Sequence, residues 1–308
     1  MNERIKIIYN PTAAGGKSGK IKKKVVKLLD EKEINYQIIE TNSPAQAIQL
    51  AETAKEEGFT MVCALGGDGT VHEVANGSIR GNIPFSVIPA GSGNDFAMGI
   101  GLKTWKDGIN TLLNGKKTKI SIIKAGDRFC INVFDSGAGA AIAKRAYTSM
   151  KWLKGQLKYT ILTIRELIFS HKPYHIRLVI DGIETEYHMN ILAVGFGQTF
   201  GSGMRILPNA RFNHDSFQIA VIHSAGKFKL LNILPKVIKG KHTTITNHVE
   251  IKTGKKVIME PLDGRKILGE AEGEVYHEGA IELEVIHEGL ELVIPNDWDL
   301  ENTSYFNR

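Results

Sequence analysis

The stretch Thr60-Met-Val-Cys-Ala-Leu-Gly66-Gly67-Asp68-Gly69-Thr70-Val-His-Glu73 limits what this chain can become more than any other part of it. Residues 60–65 are β-branched at Thr60 and Val62 and almost wholly apolar, the pattern of a parallel strand covered on both faces. Such a strand belongs in the middle of a sheet. Gly66, Gly67 and Gly69 open backbone angles closed to other residues and let main-chain N–H groups approach a ligand. Thr70 and Glu73 stand at capping-box spacing, which predicts a helix whose positive end faces the turn. Phosphate groups bind in such places. An acid in the middle of the turn is costly beside phosphates unless it holds a metal or water, so Asp68 reads as a magnesium-linked group. The competing reading is a plain strand-to-helix turn, but ordinary turns do not need a run of these residues.

Two more turns follow the same logic. Residues 4–9 form a strand that ends at Asn10-Pro11-Thr-Ala-Ala-Gly15-Gly16-Lys17-Ser18-Gly19, glycine-rich but without Walker spacing. Ile21, Val25, Leu28 and Leu29 then recur at helical spacing, with Lys20, Lys22, Lys23 and Lys24 on the solvated side. A strand over 36–40 ends near Thr41, and residues 44–57 predict a helix with Pro44 in its first turn and Gly58 at its stop. The strand over 85–88 runs into Pro89-Ala-Gly91-Ser92-Gly93-Asn94-Asp95-Phe96. Right-handed crossovers bring such turns to one edge of an open parallel sheet, where ligands bind. An α/β, doubly wound nucleotide-binding domain is therefore expected first.

From about Lys119 the pattern changes to strands separated by short turns: 120–125, 128–135, 175–180, 186–194, 217–223, 249–253, 256–260, 280–287 and 290–294. These predict a C-terminal antiparallel β-sandwich domain. The expected division is residues 1–119 and 120–294, with the tail 295–308 returning to the first domain. One greasy, lysine-studded stretch, 139–170, interrupts the strands; lining an acyl pocket, touching a membrane and packing on the sandwich all fit its composition.

Composition narrows the class. At 308 residues, 42% hydrophobic and 23% charged, the chain has the profile of a soluble globular protein with two domains. The charged start and the lack of any long apolar run predict no signal peptide, no membrane span and a cytoplasmic location. A net charge of +6 suits anionic membranes or phosphorylated ligands, without the basic blocks of a nucleic-acid binder. Cys63 and Cys130 lie in apolar runs and read as buried thiols. His171 and His175 are separated by Pro173, so zinc is not expected.

In order and spacing, Asn10-Pro11 with its glycine loop, Gly66-Gly67-Asp68-Gly69-Thr70 with Glu73, and Ile88-Pro89-Ala-Gly91-Ser92-Gly93-Asn94-Asp95-Phe96 resemble the diacylglycerol kinase catalytic domain family. That family includes bacterial soluble lipid kinases and is related to NAD kinases. The resemblance implies an ATP- and Mg2+-dependent lipid kinase at the inner membrane face, with a homodimer an allowed assembly. It implies that Asn10, Pro11, Thr41, Gly66, Gly67, Asp68, Gly69, Thr70, Glu73, Ser92, Asn94 and Asp95 surround ATP, Asp68 being tied to the catalytic magnesium. Glu272-Gly273-Glu274 matches the family's Asp-Gly-Glu, which makes Glu274 the base for the lipid hydroxyl. Three departures stand out. Glu272 replaces Asp; Ser121 stands where an aspartate is common; and around 208–217 only Asp215 is an acid where a structural magnesium has paired aspartates. The rival functions are a soluble-metabolite kinase of the NAD-kinase type, and a lipid- or nucleotide-binding regulatory protein without transfer.

Overall fold

A computed structural model describes residues 3–16, 18–43, 45–142 and 172–299; the stretch expected at 139–170 therefore lies, from residue 143 on, outside the described residues. The chain falls into two compact units, Met1–Ser121 with Glu288–Arg308, and Ile122–His287.

The first unit is an α/β sheet. Strands β1 (Ile5–Tyr9), β2 (Tyr36–Glu40), β3 (Met61–Gly66) and β4 (Phe85–Pro89), with the end of β15 (Ile281–Ile294), lie in the order β2-β1-β3-β4-β15. Every pairing is parallel. All residues of β1, β3 and β4 are buried, whereas the edge strand β2 is partly exposed. The inserted helices are α1 (Ser18–Glu31), α2 (Gln46–Glu52), α3 (Asp68–Gly81), α4 (Asp95–Gly99) and α5 (Trp105–Asn114). Val25 and Leu29 of α1 and Ile109 and Leu112 of α5 share a core with Ile5, Ile7, Met61, Cys63 and Leu65. Those strand residues alternate, so one face of the sheet supplies that core. Helices α2 and α3 cross closely: a Cβ on Gly77 would lie 2.2 Å from the Ile48 carbonyl oxygen.

Two helices differ from expectation. Helix α3 starts at Asp68 with Gly67 as its N-cap, so Thr70 sits inside the first turn rather than capping it. Helix α2 stops at Glu52, and backbone turns carry the chain through Thr53 to Gly58. The shorter helix lets Glu57 reach Lys6, a fully buried ammonium in β1, at 2.8 Å.

The second unit is antiparallel throughout its described pairings. Strands β5 (Lys116–Ala125) and β15 each begin in one unit and end in the other. Between them come β6 (Arg128–Cys130), β7 (Val133–Gly137), β8 (Tyr174–Ile180), β9 (Ile183–Gly195), β10 (Phe217–His223), α6 (Lys227–Ile238), β11 (Val249–Gly254), β12 (Lys256–Pro261), β13 (Leu268–Ala271) and β14 (Glu274–Glu278). The order is β14-β13-β7-β9-β8-β12-β15, with β10 on β9 and β11 on β10. The run 128–135 breaks at Ile131-Asn132, while 280–287 and 290–294 fuse into β15. Helix α6 was not expected. Its Leu230, Ile233, Leu234 and Val237 pack against Val133, Ile191, Ala193, Ala220 and Ile222 of the sheet.

Candidate active site

Backbone hydrogen bonds tie the carboxyl ends of the parallel strands together. The Thr41 N–H donates to the Tyr9 carbonyl at 2.9 Å, Asn10 N–H to Leu65 at 3.3 Å, and Ala90 N–H to Gly66 at 2.7 Å. All three turns thus lie along one edge. Ala45 N–H donates to Glu73 Oε1 at 3.0 Å, so Glu73 closes the Thr41 turn instead of a capping box.

Space, not backbone angle, requires glycine in the central turn. Gly67 has φ −97°, open to any residue. A Cβ on Gly66 would meet the Thr70 side chain at 2.5 Å, and one on Gly91 would lie 2.4 Å from Gly67 Cα. Two turns are pressed backbone to backbone. The left-handed residue here is Asn94, φ 58°. Its Oδ1 accepts the Gly91 N–H at 2.9 Å and its Nδ2 donates to the Gly91 carbonyl at 3.2 Å, locking the loop that carries Ser92 on its exposed rim. In the first turn, Asn10 Oδ1 accepts from Thr12 N at 2.9 Å, and the Ser18 hydroxyl donates to the carbonyls of Asn10 and Pro11. Gly15 and Gly16 carry positive φ, 65° and 85°, and there the angle does require glycine.

Asp68 is the first residue of α3, and its Oδ2 accepts the Asn94 N–H at 2.7 Å. Burial and the neighbouring Asp95 carboxylate push it up to about 7, against the pull of the N–H groups of Asn94, Asp95 and Phe96. Asp95 itself is buried. The chemistry of this donor set fits magnesium arriving with a triphosphate: Mg2+ takes one or two carboxylates and completes its shell with phosphate oxygens and water. Among the described residues no group of three His, Cys, Asp or Glu side chains is placed to hold an ion alone. Asp215 does not fit an ion site, because it is exposed and its carboxylate is held by Lys255 Nζ at 2.6 Å, which lowers its pKa.

The second unit carries a different set of carboxylates. Glu272, at φ 50°, and Gly273, at φ 87°, form the two-residue turn between β13 and β14. Glu272 Oε1 accepts the N–H groups of Asn132 at 2.8 Å and Ile131 at 3.2 Å, which bridges the break before β7. Glu274 opens β14, half-exposed, 3.8 Å from Arg128 Nη1. Glu270 and Asp135 face each other across β13 and β7, and both are buried. Burial pushes Asp135 up to about 6, and burial with the Asp135 charge raises Glu270 well above the usual carboxylate range. Gly139 makes room for Asp135, since a Cβ there would overlap its Oδ2 at 1.5 Å. Sequence reasoning passed over Asp135; the signal was an acid following Val133 and Phe134 at the end of the expected strand 128–135. Ser121 is buried in β5.

The comparisons with known proteins agree with this architecture. The diacylglycerol kinase catalytic domain model matches residues 4–125, and the YegS C-terminal NAD kinase beta sandwich-like domain model matches residues 132–294. The chain belongs to the diacylglycerol kinase family, and the class its catalytic domain defines is that of the lipid kinases. Among its relatives, it is 24% identical over 273 residues to a diacylglycerol kinase of Bacillus subtilis, covering 85% of this chain and 89% of that one. It is 28% identical over 251 residues to a diacylglycerol kinase of Mycobacterium tuberculosis, covering 79% and 80%. A crystal structure of a diacylglycerol kinase from Bacillus anthracis shares the fold with a TM-score of 0.74 at 20% identity, covering 95% of this chain and 97% of that one.

Proposed function

We propose that this enzyme transfers the γ-phosphate of ATP to the hydroxyl of a diacylglycerol-like lipid on the cytoplasmic side of a membrane. The observation that carries the reading is Asp68 on the first turn of α3, beside Asp95 and against a glycine turn with no side chains in the way. On this reading the turns after β1, β3 and β4 embrace the nucleotide, with Asn10, Thr41, Thr70 and Ser92 at its rim. Magnesium, when bound, supplies the charge that neutralises the phosphates, and Asp68 holds it. The lipid hydroxyl oxygen forms the new bond to the γ-phosphorus while the bond to the ADP oxygen breaks. Its proton passes to the Glu274 carboxylate. Phosphoryl transfer asks little covalent chemistry of a protein, so orientation carries most of the rate. The substrate is a lipid rather than a dinucleotide on the strength of the kinase-named relatives. No described helix is long and apolar enough to cross a membrane, which suits an enzyme that visits the surface where its substrate lies.

The test is to supply labelled ATP, magnesium and a panel of extracted membrane lipids, then follow label into the organic phase. Wild-type protein moves label there and Asp68→Ala does not. Label appearing only in the aqueous phase, or none transferred to any lipid, overturns the proposal.

A further inference from the structure

Helix α6 buries one face and leaves the other without a partner among the described residues. Leu230, Ile233, Leu234 and Val237 face the core. At 3.6 residues per turn the opposite ridge runs Phe228, Asn232, Pro235, Lys239, and all four are exposed. Phe228 is 86% exposed, the most of any large hydrophobic side chain described. A lone exposed leucine would need no account, but a fully presented phenylalanine flanked by Lys227 and Lys229 does.

Charge says what the ridge meets. From Ser216 to Val249 the chain holds no Asp, Glu or Arg, yet it holds Lys227, Lys229, Lys236, Lys239 and Lys241. All five are exposed, and none is held in an ion pair described in the structure. Two of them occupy the first turn of α6, where no acid stands. That placement opposes the helix's own dipole, whose positive end disfavours cations. The helix is less stable for it, and a third party of negative charge is what the arrangement favours.

We infer that α6 is an adhesion surface for an anionic lipid bilayer, with Phe228 entering the acyl boundary and the five lysines lying over the headgroups. A polyanion without an apolar layer would satisfy the lysines and leave Phe228 in water. A bilayer satisfies both, which is the logic of interfacial amphipathic helices. The inference rests on the lipid-kinase reading only for the expectation that substrate lies in a membrane.

The experiment is co-sedimentation of the full chain, without ATP, on vesicles of phosphatidylcholine alone and of phosphatidylcholine mixed with phosphatidylglycerol. Binding to the anionic vesicles is expected, together with its loss at high salt. Phe228→Ala weakens it about tenfold. Lys227→Gln with Lys229→Gln weakens it about twentyfold, while the charge-matched control Lys32→Gln with Lys106→Gln leaves it unchanged. Equal binding to both vesicle types, or equal losses in the control, overturns the inference. So does self-association that Phe228→Ala abolishes while vesicle binding persists, since a second copy would then cover the ridge. Asp68→Ala separates the two readings: it binds vesicles as wild type does, and if it also transfers phosphate as wild type does, only the proposed function falls.

Discussion

The two units treat the same functional group in opposite ways. In the first, Asp68 is brought to the start of a helix and surrounded by main-chain N–H groups. In the second, Asp135 and Glu270 are set face to face inside a sheet. Burial raises both, Asp68 to about 7 and Asp135 to about 6. Asp68, however, stands at a strand-end turn among N–H donors where a cation can relieve it, whereas Asp135 and Glu270 face each other and relieve it by keeping a proton. Fold class follows from the same contrast. A parallel sheet exposes the ends of its strands to a ligand, and an antiparallel one turns its acids toward cross-strand neighbours.

The largest effect that tests this contrast belongs to Asp68. Asp68→Ala lowers lipid phosphorylation about a thousandfold, or about 4 kcal/mol of transition-state stabilisation. Its melting temperature stays close to wild type, because removing a carboxylate that burial and Asp95 disfavour offsets the loss of its N–H bonds. A variant that unfolds, or one that still turns over, would place Asp68 with the structural carboxylates instead.

Glu274 and Glu272 sharpen the contrast within one hairpin. Glu274→Gln lowers turnover about a hundredfold with stability unchanged, as expected of a half-exposed proton acceptor. Glu272→Ala acts on stability instead, costing about 2 kcal/mol, because the N–H groups of Ile131 and Asn132 lose their acceptor. Denaturant unfolding and initial rates, measured on both variants, separate the roles.

The acid pair makes a claim about pH. Asp135 is raised from 3.8 to about 6, so the folded state holds a proton that the unfolded state has released between those values. Stability then falls as pH rises through that window, by about 3 kcal/mol. Asp135→Asn removes the part of the slope that Asp135 contributes, leaves the part due to the burial of Glu270, and is as stable as wild type or more so above the window. Chemical denaturation across the window reads both.

How much of this was legible in sequence depends on range. Glycine turns after apolar strands announced the parallel sheet and the residues on its edge, because strand, turn and helix start are contiguous. The reason for the glycines was not legible, since Gly91 stands against Gly67 only once β3 and β4 pair. Asp135 and Glu270 were hidden for the same reason: their meeting is a matter of register between strands far apart in the chain. Helix α6 had a readable pattern at 230, 233, 234 and 237, overlooked among strands on either side.

The smallest effect comes from a carboxylate supplied with donors but placed at the surface. Asp263 accepts the N–H of His175 at 3.0 Å, and Arg265 donates to it through Nε at 3.0 Å and Nη2 at 2.6 Å. The Arg265 hydrogen bonds hold its pKa down to about 2 from 3.8. A depressed acid contributes stability above its unfolded value and loses it as pH falls through the folded one, so the slope has the opposite sign to that of Asp135. Solvent screening limits the contribution to about 1 kcal/mol. Asp263→Asn should therefore cost about that much at neutral pH and nothing near pH 2. If it cost as much as Glu272→Ala, donors alone would set the value of a carboxylate, whatever its exposure.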